Sequence, residues 1–304
     1  MDQADGEGNE TVLDCIVIGA GPGGLQACIH LGRYNFRAML FHTPGGRTGY
    51  AKHIENFLGL RVVSGPELLA TGLTQAKSFG IVVENAKVDR VLGREGNFEV
   101  HAGGKVYRSR YVVAASGAKE TIAPFKNLHR FFGHSYNTCM ICDGYRMTGK
   151  KVVVIDRTAT GVRMSVAMKR MYSKDVTFIA HGFTPAPVYR SLLEEEGIGL
   201  VEGRPEELLG ESVLEGVRMS DGRVVPCEAI LGWGGISLND EYLAGLQPER
   251  DGDGFKFVTR ANGESSIPGL FIVGSLREGH SQAIISAGQG AEAAIEISTR
   301  IVEL

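Results

Sequence analysis

The chain has 304 residues, 43% of them hydrophobic and 22% charged, with a formal net charge of -3. That length suits about two ordinary domains, and the slightly acidic balance argues against a general nucleic-acid binder, which needs a basic surface to neutralise phosphates. No apolar run approaches the roughly 20 residues that cross a bilayer, so no membrane partner is expected.

Met1 to Glu10 is acidic and polar, without the basic start or apolar centre of a secretory signal, so 1–10 reads as a disordered tail and the cytoplasm as the default location. From Val12 to Ile18 runs an apolar strand, then a glycine-rich turn, Gly19-Ala20-Gly21-Pro22-Gly23-Gly24, then a helical stretch from Leu25 to Arg33 and a second strand from Arg37 to Phe41. In this strand-turn-helix-strand context Gly19 allows the tight turn, Gly21 lets backbone approach a pyrophosphate, and Gly24 lets the helix pack close. The acidic residue expected after the second strand for a ribose is replaced by His42-Thr43, so the adenosine end is held in another way.

Pro44-Gly45-Gly46-Arg47 and Glu55-Asn56-Phe57 follow, and Ser64 is placed to cap a helix running to about Phe79. Short strands are expected over Val82 to Val91, Asn97 to Ala102, Lys105 to Arg108 and Tyr111 to Ala115, the last ending at Ser116-Gly117-Ala118. Gly103-Gly104 and Gly252-x-Gly254 read as hairpin turns. Near the C-terminus a strand from Leu270 to Val273 ends at Gly274-Ser275, and Gln282-Ala283 opens a small-residue helix to about Ile297. Hairpin strands inserted after one strand-helix-strand unit, with a late return to the parallel sheet, describe one domain interrupted by an insertion.

The insertion carries Thr138-Cys139-Met140-Ile141-Cys142-Asp143-Gly144. Two cysteines two residues apart can close a reversible disulfide, and the carboxylate of Asp143 can move the proton that thiol exchange requires, the lesser alternative being a helix cap or a surface carboxylate. With no second cysteine pair and no histidine pair at finger spacing, structural zinc is the poorer explanation, and no metal site is expected. Cys15, Cys28 and Cys227 read as core packing.

The ordered set Gly19-x-Gly21-x-x-Gly24, Pro44-Gly45-Gly46, Glu55-Asn56-Phe57, Ser116-Gly117-Ala118, Cys139-x-x-Cys142-Asp143-Gly144, Ile267-Pro268-Gly269 and Ser286-Ala287-Gly288 resembles the low-molecular-weight thioredoxin reductases over nearly the whole chain. The resemblance implies an α/β fold of two Rossmann-like three-layer domains. These are an FAD domain in two segments, 11–118 and 238–304, with a pyridine-nucleotide-like domain, 119–237, inserted between them and carrying the cysteine pair. It also implies a homodimer and a thioredoxin-like disulfide partner, with Cys142 beside the flavin, Cys139 attacking the substrate disulfide and Asp143 as the acid-base group. The FAD site would draw on Gly19, Gly21, Pro22, Gly23, Gly24, His42, Gly46, Arg47, Asn56, Ser116, Gly117, Gly274, Ser275, Gln282 and Ala283. Ser275 stands where the family has an aspartate bonded to the ribityl chain, and Ser281 replaces an arginine of the pyridine-nucleotide path.

The second nucleotide unit departs from that family. Strand Lys151 to Ile155, helix Gly161 to about Tyr172 and strand Asp175 to Ile179 keep the fold, but the turn reads Asp156-Arg157-Thr158-Ala159-Thr160-Gly161 where the family has Gly-x-Gly-x-x-Ala. A carboxylate beside a pyrophosphate costs on the order of a few kcal/mol. The family's arginine pair after the next strand is replaced by Ala180-His181-Gly182-Phe183. NADPH is therefore expected to bind poorly or not at all, against the alternative that Arg157 and His181 form a rearranged site.

Some relatives take electrons from ferredoxin, and others run in reverse as dithiol oxidases. Lys150, Lys151, Arg157, Arg163, Lys169, Arg170 and Lys174 against Asp156 and Asp175 make a basic segment suited to an acidic carrier such as ferredoxin, or simply a solvated helix face. A second flavin stacked on Trp233 or Tyr136 is a further reading of the vacated pocket, with core filling the plainer account of Trp233. A non-catalytic redox sensor is the reading from another class.

Overall fold

The computed structural model describes residues 12–232 and 234–303. The expected tail, 1–10, and Trp233 lie outside the described residues. The chain divides into two compact units: 12–119 with 238–303, and Glu120–Ser237.

The first unit is built on a seven-stranded sheet. Its central strand, Leu13–Ile18, runs parallel to Ala38–His42 on one side and to Lys105–Ala114 on the other. Val82–Asn85 extends the parallel order beyond Ala38–His42, and Leu270–Ile272 pairs parallel with Lys105–Ala114, so the late segment of the chain completes the early sheet. Val88–Arg94 and Asn97–Ala102 form an antiparallel meander on the same long strand.

Two expected elements divide differently from the sequence reading. The stretch Val82 to Val91 is two strands with different partners. Conversely, the strands expected at Lys105 to Arg108 and Tyr111 to Ala115 are one strand of 10 residues. Its first half is the second arm of a hairpin whose turn is Gly103-Gly104, both at positive φ. From Tyr111 on it is continuously buried in the parallel sheet, as strands covered on both faces are. Ser109 is the changeover, paired with Phe98 on one side and Leu13 on the other, and its buried hydroxyl donates to the Tyr111 carbonyl at 2.9 Å.

The first helix, Pro22–Arg33, starts earlier than Leu25 because proline suits the first helical position, its missing N–H being one no helix would use. It packs on the last helix, Ala283–Glu303, through backbone rather than through large side chains. A Cβ at Gly290 would stand 1.9 Å from the Gly23 carbonyl oxygen, and one at Gly23 would stand 3.0 Å from that of Ser286. Beneath this crossing Val17, Leu40, Val113 and Phe271 of the sheet meet Ala27, Leu31, Ala294 and Ile297 of the helices. The helix Gly65–Ser78 is capped by Ser64, whose hydroxyl accepts from the Glu67 N–H, an interaction worth about 1 kcal/mol.

The second unit holds a five-stranded parallel sheet in the order Gly199–Glu202, Asp175–Ala180, Lys151–Asp156, Ala229–Gly232, Tyr136–Asn137. Alternation along the central strand serves two cores. Val153 and Ile155 pack with Leu208, Val217 and Val225 of a separate antiparallel sheet, while Val152 and Val154 pack with Val162, Met168 and Leu193 from the helices Ala159–Met171 and Pro187–Glu195. Both units are thus Rossmann-like α/β layers. Among the described residues no helix is long and apolar enough to cross a membrane, and no cluster of His, Cys, Asp or Glu could hold a metal ion.

Candidate active site

In the first unit the three glycines of the Gly19-x-Gly21-x-x-Gly24 pattern divide into two that the chain itself requires and one that it does not. Gly19 sits at φ 108°, where a Cβ would lie 2.4 Å from the Ala115 carbonyl oxygen, and a Cβ on Gly24 would lie 1.9 Å from the Gly19 carbonyl oxygen. A Cβ on Gly21 would meet nothing nearer than the Ala115 oxygen at 4.0 Å. The room beside Gly21 opens at the N-terminus of the first helix, where no side chain caps the backbone and no acid stands in the first turn. Free N–H groups, the helix dipole and an open approach fit the pyrophosphate of a dinucleotide such as FAD.

The other expected flavin-site residues belong to the same unit. His42 ends the strand Ala38–His42, and Gly46, at φ 95°, precedes the short helix Arg47–Tyr50. The amide of Asn56 donates to the Gln282 side chain, which ties the loop after that helix to Ala283, the first residue of the last helix. Gly274 is left-handed, φ 72°, and its N–H donates to Gln289 at 2.8 Å; Ser275 follows it in a single helical turn. Ser116 is engaged within the protein: its hydroxyl donates to the Asn239 carbonyl at 2.6 Å and lies 2.9 Å from the Tyr242 hydroxyl, while Asn239 donates back to the Ser116 carbonyl and its N–H to that of Gly117. Tyr242, Asn239 and Gln289 escaped the sequence reading because they act across up to 126 residues of chain and carry no local motif.

In the second unit Cys139 and Cys142 are joined in a disulfide, with Cα atoms 5.3 Å apart. The turn Met140–Asp143 starts from Cys139, whose sulfur accepts the Cys142 N–H at 3.2 Å. Such a bond favours negative charge on that sulfur once the pair is reduced. Thr138 donates to Glu120 at 2.7 Å, and Asp143 is partly buried at the end of the turn. A Cβ on Gly144 would stand 2.5 Å from the Tyr172 ring, so this glycine lets the aromatic floor come up under the turn.

The second nucleotide turn is closed by its own side chains. Asp156 ends its strand with 1% of its surface exposed, and one carboxylate oxygen accepts both the Thr158 N–H at 2.8 Å and the Thr158 hydroxyl at 2.9 Å. Its other oxygen is buried with no hydrogen-bond partner. Burial raises the Asp156 pKa, while the bonds from Thr158 and Arg157 oppose the rise. The Thr158 hydroxyl in turn accepts the Thr160 N–H at 3.2 Å and caps the helix that follows. Donors that an open glycine turn would offer to a pyrophosphate are therefore used internally, by a carboxylate.

Beside this turn lies a small cleft lined by Phe125, Tyr136, Asp156, Arg157 and His181 among others. The Tyr136 ring packs against Phe125 and Phe132 and belongs to the core. Burial lowers the His181 pKa, and the charges of Arg157 and Arg204 lower it further. Part of the basic segment is also spoken for, since Lys169 donates to the Gly197 carbonyl at 2.7 Å and Arg170 to Glu196, leaving Lys150, Lys151, Arg163 and Lys174 among its exposed cations.

The family model for pyridine nucleotide-disulphide oxidoreductases matches residues 13–291. The chain belongs to that family. Within it, the chain is an FAD-dependent disulfide oxidoreductase similar to the thioredoxin reductases. It is 28% identical to a thioredoxin reductase of Aquifex aeolicus, covering 95% of this chain and 93% of that one, and 26% identical to a thioredoxin reductase of Bacillus subtilis, covering 97% and 96%. Among solved structures, one of a protein named HlmI superposes with a TM-score of 0.89 at 26% identity, covering 98% of this chain and 95% of that one. The thioredoxin reductase of Streptococcus pyogenes shares the fold, with a TM-score of 0.87 at 20% identity over 97% and 100% of the two chains.

Proposed function

We propose that this oxidoreductase reduces the disulfide of a thioredoxin-like protein in the cytoplasm, as a homodimer, with electrons from a donor other than NADPH. The observation that carries the donor half is the Asp156 carboxylate, bonded to the Thr158 N–H and hydroxyl inside the turn that would receive a pyrophosphate. A dinucleotide would have to displace those bonds and then face the same negative charge. FAD, held in the first unit by Gly19, Gly21, Pro22, Gly23, Gly24, His42, Gly46, Arg47, Asn56, Ser116, Gly117, Gly274, Ser275, Gln282 and Ala283, supplies two electrons. Exposed Lys150, Lys151, Arg163 and Lys174 support an acidic carrier such as ferredoxin. Trp233 lies outside the described residues and Tyr136 is core, so the support for a second flavin is limited to the cleft itself.

The thiol steps follow from the pair and its neighbours. The Cys139 thiolate, favoured by the Cys142 N–H, attacks the partner disulfide and forms a mixed disulfide while one partner thiolate leaves. Asp143 gives that thiolate its proton. Cys142 then attacks the Cys139 sulfur, the second partner thiol leaves, and the enzyme pair is oxidised as the partner is reduced. Cys142→Ser is expected to accumulate a covalent mixed disulfide through Cys139 with an oxidised thioredoxin, visible on a non-reducing gel and released by dithiothreitol. Cys139→Ser should give none, and trapping by neither variant would sink the proposal.

A second reading has one observation in its favour. Arg157 and Arg204 gather around His181 at the ends of the second unit's strands, an arrangement able to hold the 2'-phosphate of NADPH. It differs from the first in one outcome, reduction of the flavin by NADPH.

A further inference from the structure

Thr138 stands immediately before Cys139, and its hydroxyl donates to the Glu120 carboxylate at 2.7 Å. Burial raises the pKa of the Tyr136 phenol and the charge of Glu120 raises it further, so the same carboxylate lies near Tyr136 as well. Both partners of the bond are set in place by the backbone of the second unit. Thr121, next to Glu120, donates its N–H to the Gly235 carbonyl at 2.9 Å, and a Cβ on Gly234 would stand 1.9 Å from the Thr121 carbonyl oxygen. Tyr136 and Asn137 pair with Ile230 and Leu231 at the edge of the parallel sheet. Beyond the cysteines, Gly144 lies against the Tyr172 ring and Met147 is buried in the helical core. The turn that carries the pair is thus held on its N-terminal side by one charge-assisted bond and on its C-terminal side by packing.

We propose that Thr138 and Glu120 are positioning residues whose bond keeps Cys139 and Cys142 poised to close again, and so makes the dithiol a stronger reductant of a partner disulfide. In the oxidised pair the sulfur–sulfur bond itself restrains residues 139–142. In the dithiol that restraint is gone, and the anchors on either side are what limits the turn. Anchoring therefore removes conformational freedom chiefly from the dithiol, raises its free energy relative to the disulfide, and increases the effective concentration of one sulfur at the other. A dithiol that closes more readily gives up its two electrons more readily. The inference rests on the pair passing electrons to a partner disulfide, whichever donor reduces the flavin.

The test equilibrates the flavoprotein, without oxygen, in mixtures of dithiothreitol and its cyclic disulfide. Dithiothreitol is oxidised to the ring as the Cys139–Cys142 bond breaks and each sulfur takes a proton. After an acid quench, the dithiol fraction is read from the two alkyl labels that the dithiol takes up beyond the disulfide. Thr138→Val and Glu120→Ala are each expected to shift the equilibrium about fivefold toward the dithiol, about 20 mV for a two-electron couple. The double variant should shift no further than either one, because both remove the same bond. Glu120→Gln keeps an acceptor for the Thr138 hydroxyl and should stay within about twofold of the parent. Single variants that match the parent, or an additive double variant, overturn the proposal. A Glu120→Gln shift as large as that of Glu120→Ala also overturns it, because the charge and not the bond would then be the cause. Either single variant carries the test if the other does not fold. No partner protein enters the readout, so failure to trap a mixed disulfide with Cys142→Ser and failure here are separate results.

Discussion

Asp156 and Glu264 are both buried carboxylates, 1% and 2% exposed, yet they respond to pH with opposite signs. Burial raises the pKa of Asp156 despite the bonds from Thr158, so its contribution to stability is present below the unfolded value and is lost as pH rises through the folded one. Burial would also raise that of Glu264, but the bonds from Arg300 and the Gly269 N–H bring it below the ordinary range, so its contribution is present at neutral pH and is lost as pH falls through the folded value. Asp156→Asn keeps an acceptor for Thr158 and removes the buried charge. It should unfold at a higher temperature than the parent at pH 7, with the gain shrinking as pH falls through the raised pKa of the folded parent and gone by the ordinary aspartate value of about 4. Equal unfolding temperatures across that range would mean that the carboxylate is not strained by its burial. The sequence reveals that Asp156 replaces a glycine, since the motif is local. That its carboxylate bonds its own turn, and that Thr158 caps the next helix instead of only obstructing a ligand, depends on side-chain direction, which spacing does not carry.

The last helix is the element on which the first unit closes. Gly290 admits the Gly23 backbone, and Arg300 donates two bonds to Glu264 at 2.6 and 2.9 Å, with the guanidinium 5.5 Å from the centre of the Phe271 ring. Arg260 and the Gly269 N–H complete the carboxylate's partners. Removing Arg300 leaves a buried charge that the largely exposed Arg260 only partly meets. Arg300→Met is expected to cost about 3–5 kcal/mol in the urea midpoint of the holoprotein, and a loss below about 1 kcal/mol would make the cluster a surface network. The small-residue character of this helix is legible because Gly, Ala and Ser recur along it. The joining of two expected strands into Lys105–Ala114 is not, because one strand serves an alternating hairpin in its first half and a doubly covered parallel sheet in its second. Each half shows its own period, and nothing between them marks a break. Lys256 meeting Ser281, and Tyr242 meeting Ser116, are likewise set by the fold and not by neighbouring letters.

At the scale of the molecule, two units of one architecture have turns with different chemistry. The first turn leaves its helix N-terminus open beside Gly21, while the second spends its donors on Asp156 and Thr158. The cysteine pair sits in the unit whose nucleotide turn is closed. That combination supports a chain that keeps a flavin and a dithiol and receives its electrons elsewhere than at the second turn. The most direct measurement mixes the oxidised flavoprotein with excess NADPH in the absence of oxygen and follows the visible flavin band, with dithionite as the control that the flavin is reducible. The account predicts that dithionite bleaches the band and NADPH leaves it in place; prompt bleaching by NADPH would contradict it.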